Sequence, residues 1–177
     1  MPNLQTLLSA PATVGDWQLI PDRSTIAFTN RALFGLVNVK GRFTEFGGAS
    51  QVSDDGAGSG QLNIVAASLD TGLAKRDEHL RSADFFHVER FPQIQVVVSA
   101  VQPTTDDAAE VHATLTVKES ILPITVPATV KAINADTIRV SVRTKVNRAQ
   151  LGLSFNQFGM LGMTTTVLAD MVFARAI

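Results

Sequence analysis

The chain has 177 residues, 45% hydrophobic and 18% charged, and its 15 Lys and Arg against 16 Asp and Glu leave a net charge of −1. This length supports a single domain whose core needs no metal or disulfide staple, and the charge balance gives no overall footprint for nucleic acid or an anionic membrane surface. The absence of cysteine excludes thiol chemistry and cysteine zinc sites and leaves the redox compartment open.

In chain order, residues 1–15 read as a flexible leading segment ahead of one domain over 16–177. Met1 to Ala10 contains no Lys or Arg and lacks the ~7–15-residue apolar run of a secretory signal, so a cytoplasmic protein is expected. No stretch approaches the ~18 apolar residues of a membrane-spanning helix, and no membrane insertion is expected. Period-two alternation then sets in, the mark of strands with one buried face. Ile26 and Phe28 alternate with Thr25, Ala27 and Thr29; Val37, Val39 and Phe43 alternate with Asn38, Lys40 and Arg42, with Gly41 marking a bulge or bend. Leu62, Ile64 and Ala66 follow a turn-rich run from Ser53 to Gly60.

Residues 73–90 break the alternation and read as one or two short helical turns, with Ser82 as N-cap and Pro92 as stop. Strand patterns resume with Ile94, Val96, Val98 and Ala100, then Val111, Ala113, Leu115 and Val117, then Ile124, Val126, Ala128 and Val130. The clearest has Ile138, Val140, Val142 and Val146 opposite Arg139, Ser141, Arg143 and Lys145. Residues 147–165 read as a long loop punctuated by Gly152, Gly159 and Gly162, before a last strand with Val167, Ala169, Met171 and Phe173 on one face. A loop this long usually serves a function.

Short connections favour antiparallel hairpins. The pattern predicts an all-β protein, a closed eight-stranded antiparallel barrel with a helical insertion at about 73–90. A two-sheet sandwich filled by its own side chains is the competing arrangement. The inward sets are rich in Val, Ala and Ile and poor in Trp, Tyr and Leu, which favours a hollow interior.

Arg76 to Pro92 is the one place where charge, rings and helix-start residues crowd together, as a cover for an open barrel end would. His79 is either a polar group at a cavity mouth or a residue that fixes the lid through Asp77, Arg81 or Asp84. Arg76, Arg81 and Arg148 are the candidate contacts to an anionic head group, since guanidinium matches phosphate geometry; the alternative is a structural salt bridge to Asp77, Asp84 or Asp22, which is the favoured reading for Arg148. Phe28, Phe34, Phe43, Phe85, Phe86, Phe155, Phe158, Met160 and Met163 are the candidate apolar lining, some of them simply core. His79 and His87 lie eight residues apart with no metal-ligand spacing, and no metal site is expected. There is no nucleophile elbow, and Asp54-Asp55 and Asp106-Asp107 sit in turns, so no catalytic constellation is found.

Several separated blocks resemble the YceI-like family. Asp16 to Phe28 is similar to its opening strand, Val39-Lys40-Gly41-Arg42-Phe43 to its next block, and Ser68 to Gly72 with Arg76 to Pro92 to its most distinctive pattern. Val146-Asn147-Arg148 with Gly152, and Asp170-Met171-Val172, are similar to its last strands. Two blocks depart: Lys118-Glu119 stands where the family often has Lys-Gly, and Asn147-Arg148-Ala149-Gln150-Leu151-Gly152 lacks the usual acidic pair. The resemblance implies a lipocalin-like barrel, often a homodimer, whose apolar cavity binds a polyisoprenoid such as a quinone tail or polyprenyl phosphate, with no obligatory cofactor. Function is thus expected to be non-enzymatic binding, storage or transport of an isoprenoid lipid. An enzyme acting on a small apolar or isoprenoid substrate at the cavity mouth is the alternative.

Overall fold

The computed structural model describes residues 4–33, 35–155 and 161–176. Five strands are unbroken: β7 (Gln93–Pro103), β8 (Ala108–Val117), β9 (Ser120–Asn134), β10 (Thr137–Asn147) and β11 (Leu161–Arg175). The other positions in the wall are broken strands. β1 (Gly15–Leu19) continues as β2 (Thr25–Ala32), β3 (Val37–Phe43) as β4 (Phe46–Val52), and β5 (Gly58–Val65) as the short β6 (Leu69–Asp70). The wall runs β1-β4-β5-β7-β8-β9-β10-β11 and closes by pairing β11 with β1, while β2 pairs the same edge of β11 further along and carries β3 and β6 beside it. Three broken and five continuous strands make an eight-stranded antiparallel barrel, not a sandwich.

The first break has a local cause. Pro21 opens a 3-10 turn over Pro21–Arg23, and the Ser24 hydroxyl spans it, donating to Ile20 O (2.8 Å) while accepting from Val172 N (2.9 Å). That hydroxyl keeps β11 bonded to the wall where β1 gives way to β2.

Several details differ from the sequence reading, among them that β11 already begins at Leu161, inside the loop read over 147–165. The leading segment is not featureless: α1 (Leu4–Ser9) lies at the end of the barrel where β4 turns into β5 and β7 into β8. Leu4 there is only 1% exposed, its N–H donates to Asp106 O, and Leu8 O lies against Gly56. Leu4, Leu7 and Leu8 have one-face helical spacing, a signal hidden by the shortness of the segment. Gly41 is no bulge, because β2 and β3 pair without a break from Ile26↔Phe43 to Ala32↔Val37. It lies opposite Phe28, whose ring a Cβ at Gly41 would strike. A bulge between Val98 and Ala100 does occur in β7, and it turns Val101 inward in place of Ala100. The run read as a turn up to Gly60 already becomes strand at Gly58.

The insertion forms α2 (Ala74–Arg81). Ser82 ends this helix and does not start one: its N–H and its hydroxyl both donate to His79 O. The helix packs at the barrel end opposite α1, where β2 ends, β3 begins and β10 passes into the 3-10 turn Arg148–Leu151. This end is the mouth.

Candidate functional site

A cavity of about 370 Å³ runs inside the barrel, walled almost wholly by Val, Ile, Leu and Phe side chains. It is hollow because several inward positions carry almost no side chain: Gly58 and Gly60 on β5, Ser50 on β4, Ala113 on β8 and Ala169 on β11. At Gly60 a Cβ would lie 3.0 Å from Ala49 O, so the backbones of β4 and β5 approach where no side chain intervenes. The inward alternation expected on β10 and β11 holds, with Ile138, Val140, Val142 and Val146, and Val167, Ala169, Met171 and Phe173, all on the lining. Leu4 and Leu8 of α1 close the floor.

The lining turns polar toward the mouth. Thr165 pairs with Asn30 on one side and Val146 on the other, and Thr144 lies one inward step below Val146, so Asn30, Thr165 and Thr144 form a short collar. Above it sits Arg148, only 4% exposed yet part of the cavity wall. Its guanidinium has no carboxylate partner among the described residues. It donates instead to four backbone carbonyls: Nε to Gly162 O (2.8 Å), Nη1 to Leu153 O and Phe155 O (2.8 Å), and Nη2 to Leu161 O (3.1 Å). Burial without a counter-charge pushes its pKa down from the usual arginine value. Arg148 therefore ties the chain on both sides of residues 156–160 to the end of β10. The expected ion pair is absent, which corrects the sequence reading. Asn147 replaces the acid usual in the family and still caps the 3-10 turn, its Oδ1 accepting from Ala149 N at 2.9 Å.

Beside this anchor the lid is aromatic. His79, Phe85 and Phe155 form a triangle with all three ring centroids 5.2 Å apart in edge-on contacts. His79 Nε2 lies 2.9 Å from Asp84 Oδ2, with both side chains about half exposed. His79 thus joins α2 to Phe155 and does not line the cavity, which is its lid-fixing reading. Deeper in, Phe43 lies between Phe28 (5.5 Å) and Phe86 (6.0 Å).

Of the expected site residues, Phe28, Phe43, Phe85 and Phe86 line the cavity. Phe155 belongs to the lid, Met163 is half-buried but off the lining, and Phe34, Phe158 and Met160 lie outside the described residues. Arg76 and Arg81 are placed differently from the expectation. Arg76 donates to Thr71 Oγ1 and Thr71 O, both at 2.7 Å. Arg81 donates to Ala67 O and Leu69 O, both at 2.8 Å. Neither reaches the cavity; both pin α2 to the wall, as does buried Asp77, which accepts from the Thr71 N–H and hydroxyl. Among the described residues no three His, Asp or Glu side chains converge as metal ligands. No described helix is long and apolar enough to cross a membrane. The residues missed by sequence reasoning are Leu4, Leu8, Asn30, Thr144 and Thr165, of which only the Leu4-Leu7-Leu8 spacing announced any; Arg148 was singled out but assigned the wrong partner.

A hollow up-and-down barrel with a stoppered floor and a lidded mouth is a lipocalin-like container. The chain belongs to the YceI-like family, whose domain model matches residues 17–173. A UPF0312 protein of Shewanella denitrificans is 37% identical over 103 residues, covering 55% of this chain and 50% of that protein. Protein YceI of an Escherichia coli strain is 29% identical over 126 residues, 69% of this chain and 65% of that one. The matched stretch thus spans about half the length of the first of these relatives. Among solved structures, Burkholderia cenocepacia BcnA superposes with a TM-score of 0.80 at 23% identity, covering 87% of this chain and 98% of that one. A polyisoprenoid binding domain from Saccharophagus degradans, implicated in plant cell wall breakdown, gives 0.77 at 19% identity with 90% and 98% covered. At these identities the likeness is one of fold.

Proposed function

We propose that this barrel binds a long apolar isoprenoid, tail first, and stores or carries it without transforming it. The observation that carries this reading is the continuous, predominantly apolar cavity, with α1 at its floor and its polar side chains limited, among the described residues, to Ser50, Ser59 and Gln61 on β4 and β5, the collar and Arg148. Each methylene moved from water into such a lining contributes roughly 0.8 kcal/mol, so affinity grows with tail length and depends little on its chemistry. Selectivity then falls to the few polar groups at the mouth. Family membership and the name of the Saccharophagus structure support an isoprenoid as the cargo. The enzyme alternative draws no support from the His79–Asp84 pair, which is half exposed and is not part of the cavity lining. The reading includes no obligatory cofactor and the homodimer implied by the family, which light scattering tests.

The experiment is lipid extraction from gently purified protein followed by mass spectrometry, paired with thermal melts. A stoichiometric isoprenoid is the expected result. Saturation at about a hundredfold over Kd stabilises by ~2.7 kcal/mol, a rise of about 5–10 °C in Tm for a domain of this size. Protein that carries no lipid and shows no melting shift with either a quinone or a polyprenyl phosphate would end the reading.

A further inference from the structure

The near-neutral total charge hides a segregation. On β10, β11, β2 and β3, which are neighbours in the wall, the register lines up two outward rows: Lys145–Thr166–Thr29–Lys40 and Arg143–Leu168–Ala27–Arg42. With Arg31 opposite Asn38 on β2, five exposed cations share one outer face at the mouth half of the barrel. None of the five is in an ion pair among the described residues. Of the nearby acids, Asp70 lies opposite Arg42 across the β3–β6 pair, with one carboxylate oxygen accepting from Gly72 N and no ion pair to Arg42, and Asp170 lies 3.5 Å from the Arg139 guanidinium. The turns at the stoppered end show the reverse, with Asp54, Asp55, Asp106, Asp107 and Asp136, of which only Asp136 has a cation beside it, Arg175 at the end of β11 (3.4 Å).

The basic face runs up to the β2–β3 hairpin, whose tip is uncovered and apolar. Leu36 is 86% exposed, Leu33 46% and Val37 42%. We infer that this hairpin and the basic wall beneath it form a docking surface for a lipid bilayer with anionic head groups. The apolar tip enters the head-group boundary while Arg31, Lys40, Arg42, Arg143 and Lys145 meet the lipid charges. The acidic turns at the far end are repelled by the same surface, so the molecule arrives mouth end first. Nucleic acid would satisfy the cations but leave Leu36 in water, and among its described residues the patch holds no exposed ring on which a base could stack. The surface lies beside the lidded mouth, where a lipid cargo must enter and leave.

The test is co-sedimentation with vesicles free of isoprenoid, either phosphatidylcholine alone or phosphatidylcholine mixed with phosphatidylglycerol. Binding is expected only to the mixed vesicles and should fall as salt is raised. Each cation contributes about fivefold near such a surface, so Lys40→Glu with Lys145→Glu should weaken binding at least about 25-fold. Leu36→Asp should weaken it about tenfold through the lost apolar contact. Lys131→Glu makes one such charge reversal on β9, off the patch; a single reversal on the patch should cost at least about fivefold, whereas this one should leave affinity within about twofold. All these positions are exposed, so the melting temperature checks that each variant folds as the parent does. Equal binding to both vesicle types, an equal loss in the Lys131→Glu control, or equally tight retention on duplex DNA would each overturn the inference. Because the vesicles carry no isoprenoid, failure here leaves the cavity reading untouched, and an empty cavity leaves docking measurable.

Discussion

Replacing Arg148 by methionine keeps most of the apolar stem and removes all the donors that hold the carbonyls of Leu153, Phe155, Leu161 and Gly162. A buried carbonyl left without a partner costs about 1–3 kcal/mol, so four would cost about 4–12 kcal/mol, comparable to the ~5–15 kcal/mol stability of a whole domain. Two effects reduce the loss. The lid can lift and let water reach the carbonyls, and deleting a cation buried without a counter-charge recovers part of its desolvation cost. The net expected destabilisation is therefore about 2–4 kcal/mol, a fall of about 5–15 °C in Tm. Calorimetry measures it, and limited proteolysis beyond Gly152 should speed up in parallel. The pH dependence has a definite sign. Burial depresses the pKa of this base, so the charged form is the costlier one in the fold at every pH below that value. Relief would come only at strongly alkaline pH, and the deficit of the variant should be flat between about pH 5 and 9. A variant melting within about 2 °C of the parent would refute the view that this side chain holds the lid.

Three further outcomes follow from the geometry. Gly41→Ala places a methyl against the Phe28 ring and should cost about 1–3 kcal/mol, with most of that recovered in the double variant with Phe28→Leu, read as a coupling energy from denaturant melts. Val140→Trp projects a large ring from mid-strand into the cavity; because there is room, stability should change by less than about 2 kcal/mol while the isoprenoid-induced rise in Tm disappears. Asp55 has its pKa lowered by the Ser53 hydroxyl and then the Ala57 N–H, so its carboxylate favours folding above its unfolded pKa and loses that effect as pH falls through the lower folded value. An acid titration of Asp55→Asn should show a small deficit at neutral pH that closes toward pH ~3.

The wall of the barrel was legible because period-two alternation survives wherever one face is buried. β8, β10 and β11 show this, with Ala113, Val140 and Ala169 inward as expected. The hollow was half legible. Valine and alanine on inward faces pointed to it, but Gly58 and Gly60 passed for turn residues because glycine punctuates loops far more often than it widens a tunnel. The stopper escaped notice because six residues of helix gain stability only from what they pack against. Arg148 was misread for a different reason. Charge patterning predicts carboxylate partners, whereas this guanidinium is satisfied by backbone carbonyls, which every residue offers and no sequence advertises. For Arg76 and Arg81 the residue type was the right one for a phosphate and the position was not, since both are taken up by carbonyls close by in the chain.

Among the described residues the leucines of α1 close one end of the tunnel. If the cavity takes the tail proposed for it, that closed end works as a ruler: an inserted chain would stop at Leu4 and Leu8, and any excess would protrude past Arg148. Preference for one length would then be written in residues 4–9 and not in the walls, so relatives that share this barrel could accept different cargoes by changing one short helix.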